Sequence, residues 1–148
     1  MSHIASINVQ YETSQDISVP EIIGMFILKG WSLNDFGHIS LRPLGDKDDF
    51  SWIQLELYQI EELYRIITKK VEVREDPAVV LMWGETETGA VTTFFPKEKR
   101  INFLLMSGRK RHSEMSDWTD LNWYIPRMFR PLEANNMGIS QIEFTEVV

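Results

Sequence analysis

Val79-Val80-Leu81-Met82-Trp83, Ala90-Val91-Thr92-Thr93-Phe94-Phe95 and Ile101-Asn102-Phe103-Leu104-Leu105-Met106 follow one another after Asp76-Pro77. Each run is short, apolar and rich in β-branched or aromatic residues, as strands are. Glu85-Thr86-Glu87-Thr88-Gly89 separates the first two, and Pro96-Lys97-Glu98-Lys99-Arg100 the last two. Polar connections this short suit hairpins, so the three runs predict an antiparallel meander.

Toward the N-terminus, Ile60, Leu63, Tyr64 and Ile67 share one helical face over about residues 58–70. Glu61 and Glu62 near its start and Lys69 and Lys70 at its end suit the helix dipole. Ile53, Leu55 and Leu57 alternate with Gln54 and Glu56, which predicts a strand. Trp31-Ser32-Leu33 and His38-Ile39-Ser40-Leu41 read as strands around the turn Asn34-Asp35-Phe36-Gly37, and Pro43 ends the second. Ser18-Val19-Pro20-Glu21 is a capping box leading into Ile22, Ile23, Phe26 and Ile27, with Gly30 able to take the left-handed conformation after the helix. Residues 20–29 therefore read as a short helix, with a buried strand as the rival because the apolar run is continuous. Ile7, Val9 and Tyr11 alternate with polar neighbours as a first strand.

Toward the C-terminus, Gly108-Arg109-Lys110-Arg111-His112 is a basic loop. Ser116 is the expected N-cap of a helix carrying Trp118, Leu121, Ile125 and Phe129. Asp117 and Asp120 open it, Arg127 and Arg130 close it, and Pro126 is expected to kink or end it early. Asn135-Asn136-Met137-Gly138 turns into a last strand with Ile142 and Phe144 on one face. The expected fold class is α+β: a single domain, residues 1–148, whose mostly antiparallel sheet carries about three helices on one face.

The chain has 148 residues, 22 acidic against 15 basic, no cysteine and 43% hydrophobic residues. That length and apolar content fit one folded domain and exclude a disordered chain. The lack of cysteine excludes disulfides, thiolate metal sites and a cysteine nucleophile. The N-terminus lacks a basic and apolar leader, and apolar runs such as Met25-Phe26-Ile27-Leu28 are far shorter than a membrane span. No export signal or membrane partner is expected, and the cytoplasm is the expected location. The net charge of −7 is carried by residues 1–64, since residues 65–148 hold twelve acidic and twelve basic side chains. Such asymmetry points to a polarised surface and a basic partner, and away from nucleic acid.

No phosphate-binding glycine loop, zinc-binding His-Glu-x-x-His or serine-nucleophile motif is present, so no catalytic residue, metal or cofactor is assigned. His38 and His112 form a possible acid–base pair only if the fold joins them. Asp46, Asp48 and Asp49 lack the glycine and distant glutamate of a calcium loop and read as an acidic contact surface. Glu85 and Glu87 at a hairpin tip read the same way, joined by Glu72, Glu75 and Asp76 if the fold gathers them. Lys97, Lys99 and Arg100 lie at the opposite end of the third meander strand from Arg109, Lys110 and Arg111, a poor nucleic-acid footprint. Phe94, Phe95 and Phe103 read as core rather than as a base-stacking platform. Among five tryptophans, Trp52 and Trp123 fall off the apolar stripes and are the expected exposed pair. Trp52 and Trp83 are the expected partner anchors.

Ser113-Glu114-Met115-Ser116-Asp117-Trp118, leading into Asp120-Leu121 after paired strands, resembles bacterial toxin-immunity proteins of the contact-dependent growth-inhibition type. The resemblance implies a small, acidic, cysteine-poor α+β domain and carries over no site residues. It implies an inhibitor that occludes a basic toxin domain, plausibly a nuclease. Carboxylates Asp46, Asp48, Asp49, Glu85 and Glu87 would supply charge, and Trp52 and Trp83 apolar burial. The alternatives are a small-molecule-binding domain or enzyme with a site between sheet and helices, testing His38, His112 and Glu114 first, and a nucleic-acid binder using the 97–111 region.

Overall fold

A strand with period-two alternation can bury one face and leave the other free. The computed structural model describes residues 3–45, 51–106 and 108–147. Among these lie β1 (Ile4–Glu12), α1 (Val19–Leu28), β2 (Trp31–Ser32), β3 (His38–Leu41), β4 (Ile53–Glu56), α2 (Ile60–Glu72), β5 (Ala78–Trp83), β6 (Gly89–Phe95), β7 (Arg100–Leu104), α3 (Leu121–Glu133) and β8 (Gly138–Val147). The chain is an α+β domain, as its alternation predicts. Its strands form one sheet in the order β4-β3-β5-β6-β7-β1-β8, with β2 also on β5. Every pairing is antiparallel, and the expected meander is β5-β6-β7.

Register decides which side chains share a face. Leu41, Val79, Thr92, Phe103, Ile7 and Phe144 are successive partners across the sheet. Phe94, Ile101, Val9 and Ile142 form a parallel row. Apart from the exposed Ile142 on β8, both rows pack against the helix layer with Ile22, Ile23 and Phe26 of α1, Leu63 and Ile67 of α2, and Tyr124, Met128 and Leu132 of α3. α1 touches both α2 and α3, so the helices form one layer on one face. Each large apolar side chain buried there contributes about 1.5–3 kcal/mol.

Residues 20–29 resolve as helix because the capping box closes. The Glu21 N–H donates to Ser18 Oγ at 3.2 Å, and the Ser18 hydroxyl donates to Glu21 Oε1 at 3.0 Å. Gly30 follows with φ +110°, and a Cβ there would lie 2.6 Å from the Trp83 ring. Lys70 is not a surface charge but is buried, donating to the Pro43 carbonyl at 2.7 Å and to Glu75 at 3.0 Å.

One expectation about α3 is overturned and another is narrowed. Ser116 does not cap it. Arg111 and Thr119 are bridged as strand partners, which holds residues 111–119 outside the helix, and Asp120 caps it through Asn122 N–H. Pro126 does not end it either: α3 continues through Pro126 and Pro131. A proline cannot donate to the carbonyl four residues earlier. For Pro131 that carbonyl belongs to Arg127, and the Trp31 indole N–H donates to it at 2.9 Å. The Pro131 ring itself is buried. The core thus replaces the bond that the proline removes. Among the described residues no helix is long and apolar enough to cross a membrane.

Candidate functional site

Among the described residues, the other face of the sheet carries no helix. Val80, Val91, Leu104 and Ser6 are partners in one row there, and Ala78, Thr93, Asn102 and Asn8 in the next. A hollow of about 970 Å³ opens over this face. Val80, Val91, Leu104, Met106 and Trp52 give it apolar walls, and Asp35, Arg42, Gln54, Thr93 and Asn102 give it polar ones. This mixture of apolar lining and a few convergent polar groups is what ligand and partner sites share. Between sheet and helices the space is filled by side chains with almost no exposure, which leaves little room there for the alternative site.

β2 and β3 are one interrupted strand. Trp31 faces Trp83 and Leu41 faces Val79, so eleven residues on one side face five on the other. The six extra residues leave the sheet as a small hairpin. Asp35 and His38 exchange backbone bonds of 2.7 and 3.2 Å around Phe36-Gly37. Both central residues have positive φ, +50° and +101°, the signature of a type I′ turn. The Asn34 side chain accepts from Gly37 N–H at 2.7 Å, and Ser40 donates to Asp35 at 2.8 Å. Phe36 pays about 1–2 kcal/mol for a left-handed backbone, yet its side chain is 70% exposed. Across the last β3–β4 pair, His38 with Glu56, the next residues are Leu57 and Tyr58, exposed by 44% and 82%. This corner therefore presents three exposed apolar or aromatic side chains beside the hollow.

The expected site residues do not form one cluster. Asp46, Asp48 and Asp49 lie outside the described residues, but Arg42 and Trp52 on either side of them both line the hollow. Glu85 and Glu87 are exposed in the β5–β6 turn, beyond the Trp83 end of β5. Gly45 bonds to Glu75 near the other end, about 20 Å away along a six-residue strand. Glu75 is taken up by Lys70 and Gly45 rather than offered to a partner. Trp52 is half-buried in the wall of the hollow.

Trp83 is not a free anchor. It packs edge-on against Trp31 and Trp123, with ring centroids 5.4 and 6.0 Å away. The Arg127 guanidinium lies 4.2 Å from the Trp123 centroid and 5.0 Å from that of Trp83. Trp123, expected to be exposed, is half-buried in this stack, whereas Trp118, expected on the helix stripe, is 46% exposed. The misassignment follows from the false start of α3, which placed Trp118 on its apolar face.

His38 and His112 have separate duties. His38 opens β3, while His112 Nδ1 accepts the N–H groups of Glu114 and Met115 at 3.2 and 3.1 Å, shaping its own loop. That acceptance fixes the imidazole proton on Nε2. The third histidine, His3, joins Arg109 and Thr119 around the Glu146 carboxylate, which is 2% exposed. Burial pushes the Glu146 pKa up, but hydrogen bonds from the Thr119 hydroxyl, the Thr119 N–H and His3 outweigh it and hold the carboxyl below its usual range. Among the described residues no three His, Asp or Glu side chains are grouped as metal ligands.

Asp35, Phe36, Arg42 and Tyr58 were not singled out from the sequence. The available signal was the Asn34–Gly37 turn, where a bulky Phe stands at a position that favours Asn or Gly. No family model matches the chain, and no curated protein or solved structure matches it either.

Proposed function

We propose that this protein is a binding protein of the toxin-immunity kind, which occludes a basic protein partner with the β3–β4 side of its open sheet face. One observation carries the reading. Asp35 lines the hollow, whose walls are largely apolar, and Glu56 stands opposite His38 at the neighbouring end of the β3–β4 pair. In sequence, the stretch 31–64 that supplies β3 and β4 holds seven carboxylates against two cations. An apolar centre with a charged rim is the anatomy of a partner-binding surface. Carboxylates at the rim attract a cationic partner and speed its docking.

A nuclease domain fits the partner chemistry, because enzymes that grip phosphates carry clustered Lys and Arg. Carboxylates placed over such a cluster would compete with nucleic acid for it. The cytoplasm is the location this reading requires.

The test is association kinetics with the basic partner recovered by pull-down on the intact chain. Replacing Asp46, Asp48, Asp49, Glu56, Glu61 and Glu62 by the amides should slow association about tenfold or more and flatten its salt dependence. Unchanged association would reject the acidic face. A second reading, a small-molecule site in the same hollow, is favoured by the convergence of Asp35, Arg42, Gln54, Thr93 and Asn102 there. It predicts that a bound metabolite copurifies with the protein and is displaced by Arg42→Ala.

A further inference from the structure

The Phe36 turn is costly in a way that the fold does not require. Its backbone is in the left-handed region, where Asn or Gly is the relaxed choice. The usual compensation for a bulky residue in such a place is burial of its side chain, and Phe36 is 70% exposed. Its neighbours hold the turn rigidly through the Asn34–Gly37 and Ser40–Asp35 bonds and the paired backbone of Asp35 and His38. The ring is therefore held outward on a preorganised tip. Leu57 and Tyr58 flank the same corner, and Asp35, the residue before it, lines the hollow. Strain kept at an exposed aromatic residue marks function more often than packing.

We propose that Phe36 is the apolar anchor of this surface, seated in a recess of a basic protein partner whose cations surround that recess. The occupant is chosen by charge: at this corner Asp35 precedes Phe36 and Glu56 precedes Leu57 and Tyr58, in a stretch whose sequence is strongly acidic. This inference rests on the partner-binding reading above. A rigid ring on a tight turn loses little conformational freedom on docking, so most of its burial appears as affinity.

The experiment selects a phage-displayed random peptide library on the intact chain and synthesises the most enriched peptide. Affinity is then measured against the native protein, Phe36→Asn and a distant control, Leu28→Asn, whose side chain is 85% exposed at the end of α1. The expected peptide is rich in Lys and Arg around an apolar residue. It should bind Phe36→Asn roughly tenfold or more weakly and Leu28→Asn unchanged. At the same time the Tm of Phe36→Asn should rise by about 2–4 °C as the strain is relieved. Cationic peptides that bind Phe36→Asn as well as the native chain would overturn the anchor and leave the partner-binding reading standing. Enriched peptides without cationic character, or no enrichment, would overturn that reading and the anchor with it. A fall in Tm for Phe36→Asn would show that the ring packs for stability and would also overturn the anchor.

Discussion

β7 shows both faces of the molecule within five residues. Ile101 and Phe103 point into the helix layer and are fully buried, while Asn102 and Leu104 point the other way and are half-buried. On the covered face even a carboxylate is admitted, as Glu146, once Thr119, Arg109 and His3 satisfy it. On the open face, Val80, Val91 and Leu104 lie beside Thr93 and Asn102, and no helix among the described residues covers them. The covered face holds the fold together, and the open face is apolar beyond what solubility needs. An apolar surface of that kind commonly marks an interaction site.

The comparison breaks most sharply by truncation. Phe103→Ala should lower stability by about 3–5 kcal/mol in denaturant titration, because it empties a packed site. A loss under 1 kcal/mol would mean that the helix layer is not closely packed. Next in size is Trp31→Phe. It leaves the Arg127 carbonyl without the indole donor where Pro131 offers none, and should cost about 1–2 kcal/mol. If that variant is neutral, water fills the gap and the indole bond is dispensable.

Glu146 sharpens the comparison through pH. Its folded pKa lies below the ordinary 4.5, so its contribution to stability is present above that value. The contribution fades as pH falls from 4.5 through the lower folded pKa. Acid unfolding followed by circular dichroism should therefore be less steep below pH 4.5 for Glu146→Gln, which is also less stable at neutral pH. Identical pH profiles would remove Glu146 from the account. The smallest effect is expected on the open face, where Leu104→Ser should change stability by about 0.5 kcal/mol or less. A larger loss would show that this face is part of the core after all.

Much of this two-faced design was legible in the sequence. Alternation in 4–12 and 79–106 placed Ile7, Val9, Phe94 and Phe103 inward, and the Ser18–Glu21 box pointed to a helix that the continuous apolar run left open until the fold decided it. The site was less legible, because it is made by rows across strands. Val80, Val91 and Leu104 are far apart in the chain and meet only through register. Ser116 was a false cap because Thr119, three residues on, is held by the bridge to Arg111. Pro126 offered a stop as one local outcome, but α3 runs through it. The aromatic stack that absorbs Trp83 and Trp123 joins residues from β5 and α3, beyond any local spacing.

The interruption between β2 and β3 separates scaffold from reader. Its hairpin begins and ends at the same edge of β5, so exchanging the residues at its tip does not slide any strand against its neighbour. Such an arrangement lets recognition diversify quickly while the framework stays fixed, as replaceable tips do on a common handle. A lineage built on this plan would keep its Val79, Phe103 and Ile7 rows and vary Asn34 to Gly37.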